Sequence, residues 1–358
     1  MSSAFGRMLR LSIFGESHSP AIGAVIEGLP AGSPIDADKL SAFMLRRAPG
    51  SLSSSTARWE TDKVEFLSGI LNGKTTGHPL AFIIRNTDAK REDYAGIKFT
   101  PRPGHADYTG SVKYFGNNDL SGGGHFSGRL TAPLCCAGGI ALQQLESEGI
   151  LVNARIVRIG PVTDSSDFTE SVSQKPFPAV SDAASRQMLC EIESARNSGD
   201  SLGGIIECRI TGIPAGLGDP MFHGLENTIS QAVFAIPAVK GIEFGDGFDL
   251  AQMTGSRAND AFCIKNGSIS HLSNHAGGIN GGISNGMPVL IRVAVKPTPS
   301  ISLSQRSVDT ERMEETELTV HGRHDACIVP RAVPCVEAAC ALAVYDAILL
   351  RRSEVYGH

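Results

Sequence analysis

The sequence predicts a mixed α/β (α+β) fold, and three observations carry that prediction. Strand-like and helix-like patterns alternate along the chain, and neither kind dominates. Of the 358 residues, 41% are hydrophobic and spread over the whole length, enough to bury a sizeable core. No internal repeat and no clear linker interrupts the chain, although its length alone allows either two ordinary domains or one large one.

Taken in order, a strand runs through Leu9–Phe14, the block GESHSP occupies 15–20, and a second strand lies at Gly23–Ile26. Residues 36–47 read as a helix, with Asp36 as N-cap and Leu40, Phe43 and Met44 as one apolar stripe. Arg47 follows Leu40 by seven residues and Phe43 by four, so it extends the inward face at the helix end. The loop Ala48 to Ser55 holds three consecutive serines, and residues 63–71 and 78–85 look like paired strands. Residues 86–128 have little periodicity and many Gly, Pro, Asp and Tyr residues; long irregular segments of this kind are usually functional or disordered. Residues 130–148 form the clearest helix, small and apolar at first and ending at Gly149. Strands near 150–159 and 203–211 bracket a helix at 181–197, residues 225–235 are helical, and 288–295 form a strand. A final helix runs from Pro334 to Arg352, with the proline in its first turn and Arg351 and Arg352 at the negative end of its dipole. Strand order does not follow from this pattern.

Composition narrows the function. Lys plus Arg total 32 and Asp plus Glu 37, a formal charge of −5, which excludes a basic nucleic-acid-coating surface. With charged residues at 19%, a long disordered tail is not expected. Glycine, at 40 residues, exceeds the roughly 25 of an average chain this long and implies many tight turns and close backbone approaches. There is no run of 18 apolar residues and no secretory h-region within Met1 to Arg10, so neither a membrane partner nor export is expected. The eight cysteines make no C-x-x-C pair and read as reduced core thiols in a cytoplasmic protein; the ten histidines form no cluster with these cysteines, so no metal is expected.

Two nucleotide motifs fail on spacing. Gly69 to Thr75 has three residues between its glycines where a P-loop needs four, and Gly122 to Gly128 is not spaced as G-x-G-x-x-G. The second stretch still leads, through Arg129, into the helix at 130, where exposed N–H groups favour an anion; an ordinary tight turn reads as well from spacing alone. His18, His105, His275 and His324 sit in polar loops beside Gly, Arg, Asp or Ser, and Arg46, Arg47, Arg102, Arg129 and Arg323 recur in the same places. Imidazoles exchange protons near neutral pH, and guanidinium forks pair with carboxylate and phosphate. The combination predicts a small polyanionic ligand and proton transfer.

Eleven blocks, in order, resemble the chorismate synthase family: FGESHS (14–19), RRAPG (46–50), RNTD (85–88), RPGHADYT (102–109), GGGHFSGR (122–129), GDSLGG (199–204), PAGLGDP (214–220), AVKGIEFGDGFD (238–249), SNHAGGINGGIS (273–284), VKPTPSI (295–301) and GRHDACIVPRAVPCVEA (322–338). The resemblance implies a compact β-α-β sandwich formed by residues 1–358 as a single domain, usually a homotetramer, with reduced FMN in each subunit and NADPH as a reductant. It implies a 1,4-elimination of phosphate from 5-enolpyruvylshikimate 3-phosphate to give chorismate. On matching positions, His18 protonates near the leaving phosphate, His105 protonates the flavin, and Asp325 with Ser17 lies near flavin N5. His125, Phe126, Ser127, Pro237, Ala238, Gly281, Lys296, Pro297, Thr298, Pro299, Ser300 and Arg323 match flavin-binding positions. Arg46, Arg47, Arg129 and Ser53 fall on the substrate side, Arg47 at a position usually assigned to NADPH or substrate.

The chain departs from the family pattern in places. The family's RSSARET is here His125-Phe-Ser-Gly-Arg-Leu-Thr131; Ser53 replaces a second common arginine, Pro237 an asparagine, and Ser19 the glycine of GESHG. If His125 takes over as the phosphate partner, FMN affinity should weaken as pH rises from about 6 to about 8. These changes also motivate an alternative, an impaired paralogue that only binds flavin or a phosphorylated ligand. A flavin-free phosphatase would need a metal cluster or an activated nucleophile, and neither is evident.

Overall fold

Alternate side chains Ile22, Ala24 and Ile26, and Leu80, Phe82 and Ile84, are fully buried, so each of their strands turns one apolar face inward at the strand period of two. Residues 3–48, 62–87, 99–320 and 325–356 are described by the computed structural model. The first sheet is antiparallel, in the order β1–β2–β3–β7–β4: β1 (Ala4–Phe5), β2 (Arg10–Gly15), β3 (Ala21–Glu27), β7 (Leu80–Arg85) and β4 (Val64–Ser68). The second, also antiparallel, has the order β11–β16–β10–β8–β9: β11 (Val239–Phe244), β16 (Val289–Val295), β10 (Gly204–Thr211), β8 (Leu151–Ile159) and β9 (Val162–Thr163). Short two-stranded pairs extend from these sheets: β5 (Ile70–Leu71) with β6 (Lys74–Thr75), β12 (Phe262–Lys265) with β13 (Ser268–His271), β14 (Ile279–Asn280) with β15 (Ile283–Ser284), and β17 (Gln305–Asp309) with β18 (Glu314–Leu318).

The helices are α1 (Ala37–Arg47), α2 (Asp107–Lys113), α3 (Thr131–Ser147), α4 (Asp182–Asn197), α5 (Leu225–Phe234), α6 (Gly255–Ala258) and α7 (Val329–Tyr356). α3 packs on β2, β3 and β7, α7 packs on β8 and β10, and the two helices pack on each other, giving the layered β-α-β sandwich. Both are apolar almost all round because both lie between the sheets. Their crossing is close: a Cβ on Gly138 would overlap Ala338. One described helix, α7, contains a stretch long and apolar enough to cross a bilayer, and 89% of that stretch is buried in the core.

Helix ends follow the sequence signals in part. Asp36 caps α1, its carboxylate accepting from the N–H groups of Asp38 and Lys39 at 3.0 and 2.9 Å. α7, however, starts at Val329, so Pro334 lies inside the helix and not in its first turn. Proline there removes a single i→i−4 bond, a loss tolerated where the surrounding packing is dense. Across the core, Asp346 of α7 ties down the first strands: Oδ1 accepts from the N–H groups of Met8 and Leu9, each at 2.8 Å, and of Arg7 at 3.1 Å. Arg46 forms a fork with Glu337 of α7 at 2.6 and 3.0 Å, and Glu337 also accepts from the Ala154 N–H at 2.9 Å. Arg46 therefore links α1 to α7, Glu337 carries the link on to β8, and Arg46 is not among the residues that line the cavity described below.

Candidate active site

The N-terminal ends of α3 and α7, the C-terminal end of α1 and the loops 102–106, 122–129, 236–238 and 296–300 enclose a cavity of about 500 Å³. That lies within the range of about 300–1,000 Å³ usual for small-molecule pockets. Five lining residues are cationic (Arg47, Arg102, Arg129, Lys296, Arg331) and one, Asp325, is acidic. Counting Asp62 and Asp107 just behind the wall, the cations remain in excess by two. A wall with that balance favours an anion.

Each arginine is oriented by a carboxylate. Arg102 donates to both oxygens of Asp107, the first residue of α2, at 2.7 Å each. His105 Nδ1 lies 2.6 Å from Asp107 Oδ1. Burial alone would raise the Asp107 carboxyl, but Arg102 and His105 outweigh it and hold the group well below the usual carboxylate range. An ionised Asp107 only accepts, so the His105 proton sits on Nδ1 and Nε2 becomes the exchanging atom.

Asp62, buried with φ at +47°, serves two arginines. Arg129 forms a short ion pair with it and also donates through Nε to Asn86 Oδ1 at 2.9 Å. Arg47 Nε stands 3.0 Å from Asp62 Oδ2, but off the N–H direction, so this is a charge contact and not a hydrogen bond. Two guanidinium groups around one carboxylate leave a surplus positive charge at the cavity. At the start of α7, Arg331 donates to Asp325 at 2.6 Å and through Nε to the Arg47 carbonyl at 3.0 Å. Burial pulls the Arg331 pKa down and Asp325 pushes it back up.

His18 sits behind the glycine-rich loop. Ser17 Oγ donates to the Ser121 carbonyl at 2.9 Å and therefore accepts from His18 Nδ1, also at 2.9 Å. A Cβ on Gly122, at φ +66°, would overlap the His18 ring, while one on Gly123 would meet the edge of His105. Glycine at 122 lets the loop close over His18, and the two histidines flank consecutive residues of that loop. The opposite wall holds Ala238 at φ +73°, a costly conformation for alanine, fixed by the Lys296 N–H donating to its carbonyl at 2.9 Å.

The cavity brings together Arg47, His105, Phe126, Ser127, Arg129, Pro237, Ala238, Lys296, Thr298, Pro299, Ser300 and Asp325 from the sequence-derived set. Ser17 and His18 stand behind Gly122, while Pro297 is not part of the lining. Gly281 lies in the β14–β15 turn against neither wall. His125 is directed elsewhere: Nδ1 donates to the Gly15 carbonyl and Nε2 accepts from Ser3 Oγ, both at 2.8 Å, and the residue is exposed. Its ring nitrogens are used on the first strands, so the phosphate-partner expectation does not fit its placement. Ser53, Arg323 and His324 lie outside the described residues. His275 pairs with Asp246 at 2.6 Å, away from the cavity. Among the described residues, no cluster of three or more His, Cys, Asp or Glu could hold a metal ion.

Sequence reasoning missed Asp62, Asp107, Arg331 and Cys335. Asp107 lies inside the RPGHADYT block, two residues from His105, and that i,i+2 spacing was the available signal. Arg331 lies on the helix face beside Asp325, six residues away.

Fold and cavity together are those of an enzyme: a cationic pocket at the helix ends of a β-α-β sandwich, with His105 in its wall. The family model for chorismate synthase matches residues 9–349, and the chain belongs to the chorismate synthase family of lyases. Chorismate synthase of Thermococcus gammatolerans is 49% identical over 349 residues, covering 97% of this chain and 98% of the relative. That of Lancefieldella parvula is 46% identical over 380 residues, covering 100% and 99%. A crystal structure of chorismate synthase superposes with a TM-score of 0.74 at 29% identity, covering 97% of this chain and 93% of the other.

Proposed function

We propose that the protein makes chorismate by eliminating phosphate from 5-enolpyruvylshikimate 3-phosphate, with reduced FMN held in the same cavity. The observation that supports this most is surplus guanidinium charge around one pocket with His105 in its wall and His18 directly behind its glycine-rich loop. Arg47 and Arg331 meet the anionic groups of the substrate, and Arg129, held by Asp62 and Asn86, keeps the floor positive. His18, oriented through Nδ1 by Ser17, delivers a proton from Nε2 to the departing phosphate when the ring is doubly protonated. His105, held through Nδ1 by Asp107, keeps Nε2 available for proton exchange in the cavity, where it would serve a bound flavin.

The residues present fit FMN. Ile236, Pro237, Ala238, Pro299 and Phe126 give a flat ring an apolar surface to pack on, and Lys296 offers a cation for its phosphate. Ser127, Thr298 and Ser300 add hydroxyl groups on the same walls. Reduced FMN, when bound, supplies an electron donor that recovers its electron, so the reaction has no net redox change. NADPH as the cellular reductant, a homotetramer of single-domain chains and a cytoplasmic location complete the reading. The impaired-paralogue alternative gains no support from this geometry, since a pure binder has no use for two oriented histidines.

The test is chorismate formation under anaerobic conditions with photoreduced FMN. Turnover is expected with reduced FMN and not with oxidised FMN alone; full activity in air without flavin would overturn the reading. Truncating one partner of a charge-assisted contact costs about 1.5–3 kcal/mol. Arg47→Ala is therefore expected to weaken substrate binding by roughly 10–150-fold in an equilibrium titration.

A further inference from the structure

The core contains two facing thiol pairs that the reaction does not use, and only one of them reaches the cavity. Cys135 of α3 and Cys335 of α7 are both buried, with their sulfurs 3.7 Å apart, and Cys335 is part of the cavity wall. Cys208 of β10 and Cys340 of α7 face each other deeper in the core, and neither lines the cavity. The pairs share burial and neighbouring thiols; they differ in access and in charge.

We propose that Cys335 and Cys135 form a peroxide-oxidisable site in the wall of the cavity, closing to a disulfide that joins α3 to α7. The two sulfurs already face each other at 3.7 Å across the α3–α7 contact, and a bond would bring them to about 2.05 Å. The positions favour Cys335 as the attacking thiol. Cys135 donates its S–H toward the Cys335 sulfur at 3.7 Å, and that contact, the charge of Arg47, the Thr131 hydroxyl and the charge of Arg331 lower the Cys335 thiol against its burial, while its own S–H donates to the Arg331 carbonyl at 3.3 Å. Burial and its own donation to Cys335 push the Cys135 thiol up, so it stays protonated as the resolving partner.

The chemistry balances with hydrogen peroxide as the oxidant. The Cys335 thiolate attacks one peroxide oxygen; an S–O bond forms, the O–O bond breaks, and the leaving hydroxide takes the former thiol proton to become water. The Cys135 sulfur then attacks the sulfenic sulfur, the S–S bond forms, and the hydroxyl leaves with the Cys135 proton as a second water. Two thiols lose two hydrogens and one peroxide becomes two waters. The new bond lies one helical turn beyond Thr131 and Arg331, both of which line the cavity. This modification does not depend on the reaction proposed above.

The test treats the full-length protein with hydrogen peroxide, unfolds it, alkylates it with N-ethylmaleimide and maps its peptides by mass spectrometry. The expected result is a dithiothreitol-reversible Cys135–Cys335 linked peptide and loss of both free thiols together, while Cys208 and Cys340 are alkylated in full. Cys135→Ala should stop at the sulfenic acid, captured on Cys335 by dimedone; Cys135→Ser serves the same purpose if the alanine variant does not fold. The proposal is overturned if Cys335 stays as fully alkylated as Cys208, or if the Cys208–Cys340 link forms in equal yield.

Discussion

His18 and His105 stand against consecutive glycines of one loop, yet they are held by different means. His105 is fixed by an ionised carboxylate, itself clamped by the buried fork of Arg102. His18 is fixed by a neutral hydroxyl that relays to a backbone carbonyl. In both, the bond at Nδ1 sets the tautomer and aims Nε2. The difference lies in what supports the ring. The His105 support is a buried ion-pair network, in which removing one member strands the others; the His18 support is a chain of neutral bonds, each worth little alone. Two imidazoles with similar tasks should therefore respond very differently to changes in their partners.

The strongest check is on the rings themselves. General acid–base groups contribute about 10²–10⁴ in rate, so His18→Ala and His105→Ala should each lower kcat by that order in anaerobic turnover with reduced FMN. Near wild-type kcat in either variant would remove that histidine from the comparison.

The next effect separates the supports. Asp107→Asn leaves the Arg102 guanidinium buried without its counter-charge, a loss of about 3–5 kcal/mol in stability measured by denaturant unfolding. The pH dependence has a defined sign. The folded Asp107 pKa is depressed, so its contribution is complete above the ordinary carboxylate value of about 3.9 and drains away as pH falls below it. Wild type and Asp107→Asn should therefore differ most in melting temperature near neutral pH and converge in acid. A constant difference at every pH would mean that the carboxylate charge is not what supports His105.

Ser17→Ala should cost less. One neutral hydrogen bond is worth about 0.5–1.5 kcal/mol, so kcat should fall by no more than roughly tenfold, with the fold intact by circular dichroism. A loss as large as that of His18→Ala would show Ser17 taking part in the chemistry. The smallest effect belongs to a third histidine. His125 spends both ring nitrogens on Ser3 and Gly15, so His125→Ala should leave FMN affinity unchanged and flat from about pH 6 to about pH 8 by fluorescence titration. Weaker binding in this variant would return His125 to the flavin site.

Local features were legible in the sequence to the extent that they are local. The Asp36 cap and the Leu40–Met44 stripe locate α1, and the small apolar run after Arg129 locates α3. The start of α7 was misplaced by about one turn because two prolines four residues apart, Pro330 and Pro334, carry the same first-turn signal, and the helix begins at Val329, just before the earlier of them. Strand order was not legible. β7 inserts between β3 and β4, and β16 between β10 and β11, through pairings decided by how the inner faces meet over α3 and α7. The histidines and arginines of the site were found because their loops are unusual in composition. Their counter-charges were not, because Asp62 meets Arg129 from 67 residues away and nothing near it in sequence marks it as an arginine partner.

The Asp346 clasp on Arg7, Met8 and Leu9 bridges 337–339 residues of chain. At synthesis rates of about 5–20 residues per second, the carboxylate that receives those first N–H groups is made roughly 20–70 s after them. The first strands thus leave the ribosome with their designated acceptor still unwritten, and α7, which fills the space between the sheets, is translated after every other described element. The sandwich accordingly cannot close before α7 is made: a nascent chain stalled before α7 should present exposed sheet faces to chaperones and proteases.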